Sequence, residues 1–509
     1  MKKTLKGRIA AAVALSASAA LLLAGCAGGD EPTGDGGPAA EGTSDQRIRV
    51  AMLQPPQSGL NPFSDDAAKL SRWSTGETLV RLNESIEIEP LLATEWEQVD
   101  DLTWVFTIRE GVTFHDGAEL DAEAVVNTLD QAVGYSPPPR ALNGVSISAE
   151  ATGDMEVTIT TESPDPLLTN RLASPQMSIL SPAAYLDDGT ISPVGTGTGP
   201  FELIELNGTT TATLDRYEGY WGEVAIAAGI DASYVPDGAA RAGAIRAGEV
   251  DLAETVPVSQ AGLLDEAMVN EVQQTRITYL ALNSESGPFT DPALRAAAVA
   301  AIDPQTIVDT IYEGSADLAE GLLGPAIPWT AELRGDVEPT EAPADVDGVE
   351  IVLATYTDRA ELPEIAVRLE QQLEAAGFVV TQDVREYINM ENELLSGGFD
   401  SVIISRNTGL DTGDPLSWMG QDFTCEGGFN IARLCDADVD QLIADGQQLP
   451  VGEERQQATM AVEEAILQFG AAVPLVHDRV VQGEAGTWVD FVRDPLERRL
   501  ITEFTRPAE

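Results

Sequence analysis

The 509-residue chain is poor in cysteine, histidine and lysine, and each shortage excludes something. Its cysteines are Cys26, Cys425 and Cys435, and its two histidines are His115 and His477. A structural zinc centre needs four nitrogen or sulfur ligands close together, which this inventory does not supply. Lysine stands at positions 2, 3, 6 and 69 and nowhere else. With 29 basic residues against 84 acidic ones, the formal charge is −55, so no basic footprint exists to meet the phosphates of a nucleic acid. The acidity reads as a solvated, solubilising surface. After the first 25 residues no apolar run approaches the length of a membrane span. Neither GxSxG nor HExxH occurs, and among 84 carboxylates a neighbouring pair carries no information, so a secreted hydrolase has no catalytic set to point to. No cofactor is implied.

What is present begins with residues 1–25, where Lys2, Lys3, Lys6 and Arg8 precede a short Ala/Leu/Val core. That order describes an export signal. Leu23-Ala24-Gly25-Cys26 resembles the bacterial lipobox, after which Cys26 would be acylated and hold the protein at a membrane without crossing it. Residues 26–45 are rich in glycine, acids and small residues and read as a flexible tether. Export places Cys425 and Cys435 in an oxidising space. Nine residues separate them, unlike the two of a redox pair, so a disulfide is the expected fate.

Strand and helix signals then alternate, which indicates a mixed α/β chain of two or three lobes. "RIRVAML" at 47–53, "LTWVFTI" at 102–108, "MEVTIT", "FELIEL", "ITYLALN" at 277–283, "VEIVLATY" and "VPLVHDRVV" read as strands. The spacing predicts Asp121 as the cap of a helix with Val125, Leu129 and Val133 on its apolar face. Asp291 caps another with Pro292 in its first turn, and a third runs from Pro363 to Gly377. Two tempting motifs fail. "SPVGTGTGPFEL" leads into a strand, whereas a phosphate loop opens a helix. "DADVDQLIADGQ" has Gln441 and Gln447 where a calcium loop needs glycine and glutamate, and reads better as a capped helix.

Four longer blocks fall in one order: "LATEWEQVDDLTWVFTIREGVTFHDGAELDAEAVV", "PVGTGTGPFEL", "YLALNSESGPFTDPALRAAAVAAIDPQTIV" and "GGFNIARLCDADVDQLI". Together they resemble the extracytoplasmic solute-binding proteins of bacterial ABC importers, family 5, the peptide/nickel class. The resemblance implies a periplasmic-binding-protein-like α/β fold of class II, large three-domain type, with two lobes closing on a ligand cleft plus an inserted domain. Domain I would comprise residues 46–63, 190–276 and 475–509, domain II residues 64–189, and domain III residues 277–474. It also implies a monomer that works with ABC permease subunits, and a lipoprotein form on the outer face of a Gram-positive-type membrane.

A peptide ligand offers an ammonium and a carboxylate, and both must meet opposite charge when they leave water. Arginine suits the carboxylate because its fork donates two parallel hydrogen bonds. The likeness sharpens to the dipeptide-binding proteins in two loops. In one, Arg359 stands four residues before Pro363; in the other, Asp411 opens "DTGDP", and the cysteine pair follows. By that likeness Asp411 would take the ammonium and Arg359 the carboxylate, with Asp414 capping a turn or helix. Those relatives also place a tryptophan shortly before the acid, and this chain has none there. Gln57 and Ser58, after the first strand, are further ligand-binding candidates. No metal site is expected; the alternative is a nickel-chelate receptor in which His477 completes the metal's shell.

Overall fold

The computed structural model describes residues 42–509 apart from 336 and 410. The signal segment, Cys26 and most of the tether lie outside the described residues. Ser44, counted with the tether, has its N–H on the Ile226 carbonyl at 2.7 Å. No described helix is long and apolar enough to cross a membrane.

An eleven-stranded sheet organises the molecule. Its strands are β1 (Arg47–Met52), β2 (Phe201–Asn207), β3 (Thr211–Arg216), β4 (Gly229–Tyr234), β5 (Leu252–Val256), β6 (Val269–Leu282), β7 (Val349–Tyr356), β8 (Phe378–Arg385), β9 (Ser401–Asn407) and β10 (Ala472–Glu484). In space they run β8-β7-β9-β6-β10-β5-β1-β4-β3-β2, and Ala316–Leu318 pairs with β10. Parallel pairing joins β8, β7 and β9 at one end and β5, β1 and β4 at the other. Antiparallel β6 and β10 connect the two ends.

These two strands have 14 and 13 residues, about 45 Å of chain each. The first part of β6, 269–273, pairs with 479–483, where β10 also meets β5. The second part pairs with both β9 and the first half of β10. Between Gln273 and Ile277 the β6–β10 register breaks. One apolar core lies beyond that break and includes Ile277, Tyr279, Leu353, Ile403 and Leu475. On the other side Ile48, Val50, Phe201, Leu214 and Trp488 form a second. Leu70 and Trp73 pack into that second core too, although they lie past residue 63. The sequence expectation started this strand at 277; it starts at Val269. "VNEVQQTR" lacks apolar alternation, and a ladder to β10 rather than a buried face makes it a strand.

A third core, with Phe106, Phe114, Val125, Leu129, Val157 and Ile159, belongs to a separate four-stranded antiparallel sheet spanning Ala93–Gln98, Thr103–Ile108, Glu156–Thr161 and Ile147–Gly153 in spatial order. The helix Ala122–Gly134 covers it, with the Asp121 carboxylate accepting from the Ala124 N–H at 2.9 Å. Its apolar face ends at Ala132; Val133, expected inside, is 47% exposed. The glycines of "VGTGTGP" are needed where this lobe meets the large sheet. A Cβ on Gly197 would come within 2.1 Å of the Thr75 carbonyl oxygen, and one on Gly199 within 2.0 Å of that of Ser74.

Caps behave as residue chemistry dictates. Asp291 accepts from Ala293 with Pro292 in the first turn, and Asp436 accepts from Asp438 and Val439. The helix expected to begin at Pro363 begins at Glu361. Proline in its first turn costs nothing, since the N–H it removes would be unpaired there.

Candidate functional site

The parallel strands deliver the candidate residues to loops at their C-terminal ends, where open α/β sheets hold ligands. Arg359 follows β7 and Asp411 follows β9. Gln57 and Ser58 follow β1.

The loop after β1 is wound around one buried carboxylate. Asp66 accepts the N–H groups of Gln57 at 3.0 Å and Ser58 at 2.7 Å, the Ser58 hydroxyl at 2.8 Å, and Lys69 Nζ at 3.0 Å. Burial works against charge on Asp66, but these donors hold its carboxyl below the usual range. Ser58 is thereby engaged in shaping the loop, while the Gln57 side chain is exposed and makes a 3.4 Å contact to the Pro55 carbonyl.

Asp411 does not stand alone. Arg140, from the four-stranded lobe, reaches its carboxylate through Nη2 at 3.2 Å and Nε at 3.4 Å, and also pairs with Asp65. Burial lowers the Arg140 pKa, and the two aspartates more than restore it. Around Asp411 the backbone is docked as well: Arg498 donates to the Asp411 carbonyl at 3.2 Å, and Asn170 to that of Thr412 at 2.9 Å. Asp414 has a different task. It caps the helix Pro415–Asp422 through Ser417 N–H and receives both arms of Arg455 at 2.8 Å.

Arg359 donates to Asp478 at 3.3 Å and is 35% exposed at the side chain. Asp478 also accepts from Tyr312 at 3.0 Å and Ser405 at 3.2 Å. Burial opposes the charge on Arg359; Asp478, Tyr356 and Glu497 outweigh it. Glu497, held at φ 60°, is itself kept ionised against burial by Arg276, Arg72 and Arg359. Arg72 bonds it at 3.1 Å and Glu254 at 2.5 Å.

His477 is 2% exposed in β10. Burial pushes its pKa down to about 4, Nδ1 faces the Arg276 carbonyl at 3.3 Å, and Nε2 has no hydrogen-bond partner among the described residues. Gly324 lies directly against the ring, leaving no room even for a Cβ. No group of three or more metal-ligating side chains occurs among the described residues. Cys425 and Cys435 are joined in a disulfide, as their export context suggested. It closes the loop between the helices Pro415–Asp422 and Ala437–Gln447.

Sequence reasoning missed Arg140, Arg276, Asp478 and Glu497. Asp478 stands beside the noted His477 and could have been found there. Arg276, inside "QQTRITYL", gives no local signal.

The family model for bacterial extracellular solute-binding proteins, family 5 Middle, matches residues 87–430. Glutathione-binding protein GsiB of Escherichia coli O1:K1 / APEC is 26% identical over 465 residues, 84% of this chain and 90% of that one. GsiB of Salmonella paratyphi A is 28% identical over 341 residues, 63% of this chain and 66% of that one. A nickel ABC transporter structure from Bacillus halodurans is similar with a TM-score of 0.76 and 25% identity, over 91% of this chain and 100% of that one. The dipeptide binding protein of Pseudoalteromonas sp. SM9913 in complex with Met-Leu shares the fold with a TM-score of 0.74 and 20% identity, again over 91% and 100%. The architecture is that of the class II periplasmic binding proteins. The chain belongs to family 5 of the bacterial extracellular solute-binding proteins: it is the substrate-binding component of an ABC importer, it acts outside the cytoplasm, and it is not an enzyme.

Proposed function

We propose that this protein captures a short peptide and delivers it to its permease as a monomer, tethered to the membrane through acylated Cys26. Residues 46–63, 190–276 and 475–509 form one jaw and residues 277–474 the other, with residues 64–189 inserted, although Leu70 and Trp73 of that stretch pack into the first jaw's core. The observation that carries the peptide reading is the state of Arg359: a partly open guanidinium at the end of a parallel strand, with one 3.3 Å bond to Asp478 among the described residues. A peptide carboxylate would complete its fork. Asp411 supplies the opposite charge, since its contacts to Arg140 are long enough for a ligand ammonium to share the carboxylate. Both the glutathione-binding relatives and the dipeptide-bound neighbour are named for small peptides. The nickel-chelate alternative gains nothing from His477, whose ring is packed inside the sheet.

Titration calorimetry with di- and tripeptide pools tests this. Saturable binding is expected, weakened at least about tenfold in Asp411→Ala by loss of a charge-assisted bond. Full affinity in that variant would remove Asp411 from the site. Cys26→Ala should release the protein from the membrane fraction into the medium, and retention would refute the lipid anchor.

A further inference from the structure

Buried guanidinium groups in this protein are generally well supplied with acceptors. Arg455 gives Asp414 two 2.8 Å bonds and three more to the carbonyls of Gly446, Gln447 and Leu449. Even Arg406, 25% exposed at the side chain, binds buried Asp422 at 2.6 and 2.7 Å. Arg241 spreads four bonds over backbone carbonyls.

Arg276 departs from this pattern. It sits in the register break of β6, its side chain is 17% exposed, and the one ion pair its side chain makes among the described residues is to Glu497 at 3.6 Å. Its Nε is buried without a partner there. A guanidinium offers five N–H donors, and leaving them desolvated and unmet is unfavourable. Arg359 is nearly as short of acceptors, and the ladder brings the two together: Ile277, next to Arg276, pairs with His477, and Asp478, next to His477, holds Arg359 at 3.3 Å. The acids nearby are partly shared: Glu497 Oε2 is bonded by Arg72 at 3.1 Å, while its Oε1, 3.6 Å from Arg276, is buried without a hydrogen-bond partner among the described residues, and Asp478 is bonded by Tyr312 and Ser405. Two under-supplied forks, from the crossing strand and from the end of β7, therefore converge where each keeps some open surface. Each would gain acceptors from an incoming anion with two oxygens in one plane.

We propose that Arg276 is a second ligand-binding residue, which with Arg359 forms a two-guanidinium seat for one carboxylate of the solute. This deepens the peptide reading and rests on it, and it makes a free carboxylate the feature that the protein selects.

The test compares a bound dipeptide with its C-terminal amide, by calorimetry, on the wild type, Arg276→Gln and Arg276→Lys. The wild type should prefer the free acid by about 10- to 100-fold, as expected for lost charge-assisted bonds. Arg276→Gln should weaken the acid more than the amide, so that the acid-to-amide preference falls by about three- to tenfold, the part that Arg359 does not supply. Equal weakening of acid and amide would mean that Arg276 only supports the strand, and would overturn the seat while leaving peptide capture standing. An unchanged acid-to-amide ratio would overturn it as well. Should Arg276→Gln fail to fold, Arg276→Lys decides, since it keeps the charge and loses the fork: its ratio must fall below that of wild type. A wild type that binds neither acid nor amide removes both the peptide reading and the seat.

Discussion

Asp411 and Asp414 stand three residues apart in one loop, and alanine in each place should produce opposite phenotypes. Asp414 is 8% exposed and receives both arms of Arg455, itself 3% exposed. It also caps a helix through Ser417 N–H at 2.8 Å. Removing its carboxylate costs about 1 kcal/mol for the cap. It also strands a buried cation, for which breaking one side of a buried pair costs about 3–5 kcal/mol. The Arg455 bonds to three helix-end carbonyls soften the second loss, so the total should fall at about 3–5 kcal/mol. Asp411, one-third exposed and held at 3.2 and 3.4 Å, should change stability by only about 0–1 kcal/mol. Urea unfolding followed by tryptophan fluorescence, with Trp418 in the very helix that Asp414 caps, measures the difference. Calorimetry on the same variants should show the reverse ranking for affinity. An Asp414→Ala protein as stable as wild type, or an Asp411→Ala protein equally destabilised, would refute this division of labour.

Glu77 is buried under Thr198, Tyr220 and Trp221, and burial pushes its carboxyl up to about 7. Because the folded pKa lies above the unfolded one near 4.5, its contribution to stability is complete below about pH 4.5 and is lost as the pH rises through about 7. Glu77→Gln should therefore flatten the decline in melting temperature between pH 5 and 8; an unchanged slope would refute this assignment. Removing the disulfide by Cys425→Ser with Cys435→Ser, which frees a loop with a sequence separation of 10, should cost about 2–3 kcal/mol in denaturant titration. Gly199→Ala should be destabilising by at least about 1–3 kcal/mol, because its Cβ meets backbone rather than a yielding side chain, and thermal unfolding would show it.

Local chemistry was readable where local contacts decide the structure. Asp121, Asp291 and Asp436 cap the helices expected of them, because a cap needs only the next three residues. The first half of β6 was not readable, since "VNEVQQTR" becomes a strand through partners about 210 residues later in β10 rather than through its own alternation. The candidate site divides in the same way. Arg359 and Asp411 could be named from short motifs and strand ends. Their partners could not: Arg140 lies 271 residues from Asp411, and Asp478 lies 119 from Arg359. Arg276 is conspicuous only as a cation short of acceptors, a property no sequence pattern encodes. The disulfide was legible because so few thiols competed for the role.

Lys69 carries a last consequence. It is the only lysine among the described residues, and its side chain is 7% exposed against Asp66. Amine-directed labels and cross-linkers will therefore find almost no foothold on the folded body. Fluorophores or surface tethers for binding work are better directed to an engineered thiol far from Cys425 and Cys435. Tryptic peptides from this region will end almost entirely in arginine.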